Sequence, residues 1–267
     1  MLRAAYLDLD GTLLGRGASL LHDAEGGFTL LGARALEACA RAEVEVVPYS
    51  GRRQSTLLHD ARMLGLRSYI FEAGCGLVLD GELEWLTDGL EPRDGKTIHD
   101  QIEESGAPAL LLEHYAGRLR IYEPWRYARE VSHLFLGDEI NASEADTLLE
   151  EHGHGHLRLV DNGIMQGAPG NGRAYHLIPR TASKARAVAR HMQARGYTPD
   201  DVIAVGDSRE DLGAAAVVGT FWLVANALEH EPGLRTAMAE YGNVRVADAS
   251  HGAGVYEAVI TTLALRR

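Results

Sequence analysis

The sequence is short of cysteine and of positive charge, and each shortage argues against a class of protein. Its 267 residues include only two cysteines, Cys39 and Cys75, which provide no disulfide framework and fit a reducing compartment. Lys and Arg number 26 against 38 Asp and Glu, and the net charge of −12 argues against nucleic acid or an anionic membrane surface as a partner. Small anionic ligands remain compatible with this charge, because a metal ion, a lysine or a helix terminus sets the field at a binding site locally.

The sequence also lacks long apolar runs, internal repeats and low-complexity tracts. No apolar segment reaches the length needed to span a membrane, and the first residues lack the basic segment and apolar stretch of a signal peptide. We therefore expect a cytoplasmic protein with no membrane partner. With 46% hydrophobic residues, the chain can bury a core in one large domain or in two modest ones.

The first chemical signal follows a predicted buried strand at residues 4–7. This strand leads into Asp8 and Asp10, and Gly11 and Thr12 come directly after them. Side chains alternate along a strand, so both carboxylates start on the same side, where they repel unless a cation or a proton lies between them. Gly11 allows a sharp turn that presents backbone N–H groups to an anion. A carboxylate pair, a cation and an anion-binding turn in one place indicate phosphoryl chemistry.

Strands and helices alternate at both ends of the chain. The predicted helices are at residues 30–42, 54–64, 183–195, 211–217, 232–241 and 254–266. The predicted strands between them are at residues 44–47, 68–71, 202–205, 221–224 and 244–246. This alternation is typical of an α/β protein with a doubly wound parallel sheet.

The middle of the chain has a different pattern. Strands joined by hairpins and separated by helices predict an α+β unit with an antiparallel sheet. Asp80-Gly81 is one predicted hairpin turn, and Asn162-Gly163 is another, between strands at residues 157–160 and 164–166. We expect a core domain of residues 1–76 and 179–267, interrupted by an inserted domain of residues 77–178.

Three further segments are expected at the carboxyl edge of the parallel sheet, the usual ligand crevice of this architecture. Ser50-Gly51 offers a hydroxyl and a backbone N–H to a phosphate oxygen. Lys184 lies in the first turn of a helix, where the dipole disfavours a cation unless an anion balances it. Asp207 and Asp211 offer oxygen ligands of the kind that Mg²⁺ prefers. Taken singly, these segments are also compatible with a turn, a solvated lysine and an acidic helix N-terminus.

In this order, Asp-x-Asp, Ser, Lys and Gly-Asp-x-x-x-Asp, the segments resemble the four motifs of the haloacid dehalogenase (HAD) superfamily of phosphohydrolases. The resemblance covers residues 1–76 and 179–267 and implies a Rossmann-like core. The insert is similar to the C2-type cap of the Cof-like subfamily IIB, whose members are mostly phosphatases of sugar phosphates and small organic phosphates. Two departures, Glu210 in place of Asn and a missing glycine at residues 223–227, predict altered loop packing or substrate fit rather than lost chemistry.

The resemblance also implies a role for each site residue. Asp8 would be the nucleophile, and Asp10 would serve as the general acid and base. Mg²⁺ would be bound by Asp8, the Asp10 carbonyl and Asp207. Asp211 would either bind the ion as well or contact the residues that bind it. The phosphoryl oxygens would be held by Ser50, Lys184 and the backbone N–H groups of Gly11, Thr12 and Gly51.

These roles predict a magnesium-dependent phosphomonoester hydrolase that forms an aspartyl-phosphate intermediate. Its substrate would be a small phosphorylated metabolite, either a sugar phosphate or a phosphorylated hydroxyacid. In the inserted domain, Arg118, Arg120 and Arg129 are candidates for binding a second anionic group. Two alternatives are phosphomannomutase-like phosphoryl transfer and a non-catalytic phosphosugar-binding regulatory protein. The presence of both Asp8 and Asp10 argues against the second.

Overall fold

The computed structural model describes residues 1–164 and 172–265. Its strands are β1 (Ala4–Leu7), β2 (Glu45–Pro48), β3 (Tyr69–Phe71), β4 (Gly76–Leu79), β5 (Glu82–Trp85), β6 (Leu119–Ile121), β7 (His133–Gly137), β8 (Leu157–Ile164), β9 (Arg173–Pro179), β10 (Val202–Gly206), β11 (Thr220–Leu223) and β12 (Val244–Val246). Its α-helices are α1 (Leu31–Arg41), α2 (Gln54–Met63), α3 (Ile98–Glu104), α4 (Ala107–His114), α5 (Ala142–Glu151), α6 (Lys184–Arg195), α7 (Arg209–Leu212), α8 (Ala225–His230), α9 (Leu234–Ala237) and α10 (His251–Leu265). None of these described helices is long and apolar enough to cross a membrane.

The two ends of the chain form a parallel sheet in the order β12-β11-β10-β1-β2. Both faces of this sheet are covered, as the alternation within β1 shows. Ala5 and Leu7 pack in a cluster with α1 and α10, whereas Ala4 and Tyr6 pack in a cluster with α6. A strand that is buried on both sides has to be apolar throughout. The prediction of a doubly wound parallel sheet is therefore confirmed.

The inserted segment forms an antiparallel sheet in the order β6-β7-β9-β8, packed with α3, α4 and α5 around its own core. The expected α+β architecture is confirmed, but the turn predicted at Asn162-Gly163 is wrong. Both residues lie within β8, where the pairing with β9 shifts between Asp161 and Ile164, and Gly163 has a φ of 84°. The left-handed glycine thus accommodates a bulge instead of a reversal. Residues 165 and 166 of the predicted strand, and residue 266 of the predicted last helix, lie outside the described residues.

A smaller antiparallel sheet, β3-β4-β5, lies at the boundary between the two sheets. Its turn is the predicted one, because Asp80 and Gly81 both have positive φ, at 52° and 95°, as a tight hairpin requires. Leu77 and Val78 of β4 pack in the clusters that cover the parallel sheet. This packing favours a start of the inserted domain near residue 86 over the predicted residue 77, and the division into two domains stays a prediction.

Candidate active site

The carboxyl ends of three neighbouring strands converge on one cavity. Because β1 lies between β10 and β2, Asp8 at the end of β1 has Asp207 on one side and Ser50 on the other. The cavity has a volume of about 370 Å³, and the predicted site residues that line it are Asp8, Asp10, Gly11, Ser50, Gly51, Lys184, Asp207 and Asp211. The structure therefore brings the four motif segments together, as parallel strand ends should.

Lys184 lies at the centre of the site. It is the first residue of α6, its side chain is only 1% exposed, and its Nζ donates to Asp8 Oδ1 at 2.8 Å and to Asp211 Oδ1 at 2.5 Å. Burial would lower the pKa of Lys184, but Asp211 and Asp8 outweigh it and raise the pKa above its ordinary value. The anion that balances this lysine at the helix start is thus a pair of carboxylates within the protein.

The carboxylates of Asp8, Asp207 and Asp211 form a cluster whose oxygens lie within 4.8 Å of one another. Burial, reinforced by the neighbouring carboxylates, raises the pKa of Asp8 and of Asp207. Three carboxylates and one ammonium leave two negative charges in excess, which a divalent cation would neutralise. An all-oxygen donor set also fits Mg²⁺.

Within this cluster, Asp211 differs from the other two acids. Its Oδ2 accepts hydrogen bonds from the backbone N–H groups of Asp207 and Ser208 and from the Ser208 hydroxyl, at 3.2, 3.0 and 2.7 Å. Its Oδ1 accepts from Lys184. With both oxygens engaged, Asp211 is better placed to orient Asp207 and Lys184 than to bind an ion itself.

Asp10 is not part of this cluster and pairs with Arg52. The Nε and Nη2 groups of Arg52 donate to the two carboxylate oxygens of Asp10 at 2.7 and 2.6 Å, and its Nη1 donates to Asp60 at 2.7 Å. The sequence analysis did not include Arg52 among the site residues. Its position directly after Ser50-Gly51 could have identified it, because residues of that loop lie at the same edge of the sheet as Asp10.

The Gly11-Thr12 turn shapes the cluster. Gly11 has a φ of 85°, and a Cβ at this position would collide with the carboxylate of Asp207. The Thr12 hydroxyl donates to Asp207 Oδ1 at 3.0 Å, while its backbone N–H donates to Leu9 O at 3.2 Å. The predicted role of the Thr12 N–H in holding phosphate stays a prediction, and the structure adds a contact between the Thr12 hydroxyl and Asp207.

Ser50 and Gly51 leave donors directed to the cavity. Ser50 Oγ accepts from the Arg52 N–H at 3.2 Å, which leaves the hydroxyl hydrogen available. The Gly51 N–H donates to no other residue in the described part of the chain. Both groups fit the predicted role in holding phosphoryl oxygens.

The two segments that depart from the subfamily pattern, at Glu210 and at residues 223–227, both contain a side chain that ties parts of the fold together. Glu210 Oε1 accepts from the Lys184 N–H at 3.3 Å and from Arg158 at 3.2 Å, and so ties the start of α6 to β8. Asn226 donates to Gly11 O at 2.8 Å and accepts from the His251 N–H at 3.0 Å, which joins the Gly11-Thr12 turn to α10.

Of the three candidate arginines in the inserted domain, only Arg129 lines the cavity. Arg118 is held by Glu139 O and lies near the Tyr115 ring, and Arg120 is exposed on β6. Arg118 and Arg120 therefore lie outside the described lining of the cavity, and their role in binding a second anion stays a prediction. The inserted domain also contributes Trp125, Leu134, Asn162, Gly163, Ile164, Ala174 and His176 to the lining.

A second group of metal-binding side chains, His99, Glu103 and His133, lies in the inserted domain. The imidazoles of His99 and His133 are stacked with centroids 3.7 Å apart and planes 5° from parallel. A metal ion lies in the plane of each imidazole that binds it, and two stacked planes share no such point. This arrangement therefore does not offer both histidines to one ion.

Comparison with known proteins adds relatives of similar length. No family model matches the chain. A phosphoglycolate phosphatase of Halorubrum lacusprofundi is 28% identical over 222 residues, which is 83% of both chains. A phosphoglycolate phosphatase of Methanothermobacter thermautotrophicus is 25% identical over 264 residues, which is 97% of both chains.

Solved structures share the whole fold. The sucrose-phosphatase of a Synechocystis species, solved with sucrose and phosphate, aligns over 98% of both chains with a TM-score of 0.68 at 16% identity. A haloacid dehalogenase-like hydrolase from Bacteroides thetaiotaomicron aligns over 98% of this chain and 99% of its own, with a TM-score of 0.63 at 17% identity. At such identities the likeness concerns the fold.

Proposed function

We propose that this chain is a phosphatase of the haloacid dehalogenase superfamily and that it hydrolyses phosphomonoesters with Mg²⁺ through an aspartyl-phosphate on Asp8. The observation that carries this proposal is the placement of Asp8 between Lys184 and Asp207 at the carboxyl edge of the parallel sheet. We further propose that the inserted domain is a C2-type cap of subfamily IIB.

The first step uses the buried carboxylate of Asp8. One of its oxygens forms a bond to phosphorus while the bond from phosphorus to the ester oxygen breaks. A phosphate ester repels this carboxylate, and Lys184 beside Asp8 offsets the repulsion. Ser50 and the Gly51 N–H hold the phosphoryl oxygens in line. Bound at Asp8, Asp207 and the Asp10 carbonyl, Mg²⁺ would supply further charge neutralisation.

Asp10 transfers the protons. Its carboxyl group donates a proton to the leaving alkoxide, and the resulting carboxylate accepts a proton from the water that attacks the aspartyl-phosphate. Water thereby releases inorganic phosphate and returns both aspartates to their starting state. Arg52 keeps the Asp10 carboxyl group in a fixed orientation at the cavity.

The substrate we propose is a small phosphorylated hydroxyacid or sugar phosphate. A cavity of about 370 Å³ suits a metabolite of this size, and relatives named phosphoglycolate phosphatase support a phosphorylated acid. The net charge of −12 and the two buried free cysteines support a cytoplasmic enzyme that does not bind nucleic acid.

The test is hydrolysis of p-nitrophenyl phosphate with and without MgCl₂, comparing the wild-type protein with Asp8→Asn. We expect magnesium-dependent release of phosphate by the wild type and a loss of at least about 1,000-fold in the variant, because the amide is not a nucleophile. Thermal unfolding should show that the variant folds. Equal turnover by the two proteins would refute the role of Asp8.

A further inference from the structure

Arg129 is a buried cation that has no counterion among the described residues. Its side chain is 6% exposed, and its Nε donates to Trp125 O at 3.0 Å. Its Nη1 donates to the Ser132 hydroxyl at 2.8 Å and to Gly51 O at 3.4 Å. Within residues 1–164 and 172–265, its Nη2 makes no hydrogen bond and no carboxylate lies within ion-pair distance of the guanidinium. Buried charges in proteins are normally paired.

The nearest acid, Glu72, is used for a different purpose. Its buried carboxylate accepts the backbone N–H groups of Glu130, Val131 and Ser132 at 2.9, 3.1 and 2.6 Å. Burial lowers the pKa of Arg129, and Glu72 opposes this without contacting the guanidinium. Glu72 therefore fixes the backbone that carries Arg129, and the guanidinium remains open to a ligand anion.

The other described residues of the inserted domain that line the cavity bring no negative charge to this position. His176, which lies on the cavity and contacts the same Ser132 hydroxyl, has its pKa lowered well below the usual value by burial and then by Arg129 and Lys184, so it is neutral. Trp125 and Leu134 add apolar walls to the cavity. The only full charge on this wall among the described lining residues of the inserted domain is thus that of Arg129.

We propose that Arg129 is a specificity-determining residue that binds a carboxylate on the alcohol portion of the substrate. This inference rests on the proposed function, since it places the phosphoryl group at Asp8, Ser50 and Gly51. Arg129 contacts the carbonyl of Gly51, whose own N–H is assigned to phosphate, so the two anionic groups have to be few bonds apart. The preferred substrate class is therefore short phosphorylated 2-hydroxy acids rather than neutral sugar phosphates.

The experiment compares two esters that differ only in charge, 2-phosphoglycolate and its amide, 2-phosphoglycolamide. We expect the wild type to prefer the acid by at least about 30-fold in kcat/KM, because the amide leaves the guanidinium unpaired. Arg129→Gln should remove most of this preference, because it should lower kcat/KM for the acid far more than for the amide or for p-nitrophenyl phosphate. Arg118→Gln, whose guanidinium lies outside the cavity, is the matched control and should keep the full preference.

A measurement on the wild type covers the case in which Arg129→Gln does not fold. Glycolate should inhibit hydrolysis of p-nitrophenyl phosphate more strongly than glycolamide by a similar factor, since both products would occupy the same place. The inference is overturned if the wild type does not distinguish acid from amide, or if Arg129→Gln slows all three esters equally, as a ligand of the phosphoryl group would. If the wild type hydrolyses none of the three esters, the proposed function itself fails.

Discussion

Arg52 binds both carboxylate oxygens of Asp10 while a third group of the same guanidinium binds Asp60. The side chain of Arg52 is 17% exposed and that of Asp10 is 47% exposed, so Arg52 joins the half-buried Asp60 on α2 to the open side of the cavity. A planar guanidinium that forms two hydrogen bonds to a carboxylate fixes the orientation of the carboxylate and also balances its charge. The orientation of the proposed acid and base is therefore set by a residue of the neighbouring strand loop.

Replacing Arg52 with Ala should slow catalysis in a manner that depends on the leaving group. A misdirected Asp10 would donate its proton poorly, and proton donation matters most for an alkoxide that leaves reluctantly. We expect kcat to fall by about 10- to 100-fold for an alkyl phosphate and by less than about threefold for p-nitrophenyl phosphate, whose leaving group needs little protonation. Steady-state kinetics on the two esters measure this difference.

The control for this prediction is Asp60→Asn. This variant removes the negative charge of Asp60 on α2 but keeps both hydrogen bonds between Arg52 and Asp10. The ratio of kcat for the alkyl phosphate to kcat for p-nitrophenyl phosphate should therefore change little. Equal slowing of both esters by Arg52→Ala would mean that Arg52 serves binding or folding and does not orient Asp10.

Gly11→Ala should weaken the use of Mg²⁺ more than it weakens the fold. The added Cβ would meet the carboxylate of Asp207, which has to move away from Asp8, and the φ of 85° adds backbone strain of about 1 kcal/mol. We expect the magnesium concentration for half-maximal activity to rise at least about tenfold, because one of the two best-placed ligands is displaced. Titration of activity with MgCl₂ measures this shift.

Gly65→Ala is the matched control. Gly65 has a φ of 72°, but a Cβ there meets nothing within 4 Å, so this variant has the strain without the collision. Gly11→Ala should lose at least as much stability in thermal unfolding as Gly65→Ala, and only Gly11→Ala should change the magnesium requirement. The same magnesium requirement in both variants would contradict the assignment of Asp207 as a ligand.

The sequence was sufficient to predict the parallel sheet and the convergence of Asp8, Ser50, Lys184 and Asp207. Those predictions depend on local apolar runs and on the rule that the carboxyl ends of parallel strands share one edge. Contacts between distant segments were out of reach. The pairing of Arg52 with Asp10 spans 42 residues and depends on side-chain direction, which a sequence pattern does not specify.

In the inserted domain, even more depends on contacts between distant segments that the sequence does not predict. The sequence does not distinguish the three candidates Arg118, Arg120 and Arg129. Which of them reaches the cavity depends on the pairing of β6 with β7 and on the hydrogen bonds from the backbone of residues 130–132 to Glu72. Asn162-Gly163 is a strong turn signal, yet long-range pairing with β9 makes it a bulge. Antiparallel register is set by tertiary packing, which local propensity does not encode.

Glu45 gives the fold an acid-sensitive stabilisation away from the cavity. At the start of β2, its carboxylate accepts hydrogen bonds from Arg195 at 2.8 Å and from Tyr197 at 3.0 Å, and His191 Nε2 lies 3.5 Å away. Burial would raise the pKa of Glu45, but the neighbouring His191 imidazole and the hydrogen bonds from Arg195 and Tyr197 outweigh it and lower the pKa from 4.5 to about 2. Since the folded state binds the proton more weakly than the unfolded state, the stabilisation is complete above pH 4.5 and disappears as the pH falls to about 2.

The free energy of unfolding of wild type and Glu45→Gln should therefore differ most at neutral pH. We expect the wild type to be more stable at pH 7 by up to about 3 kcal/mol, and the difference should shrink steadily below pH 4.5. Urea unfolding from pH 7 to pH 3 measures it, and the subtraction cancels the titration of all other carboxyl groups. Glu37→Gln, which removes an exposed pair with Arg41, should show a small difference at every pH. A difference between wild type and Glu45→Gln that stays constant down to pH 3 would show that this carboxylate contributes through its shape and not its charge.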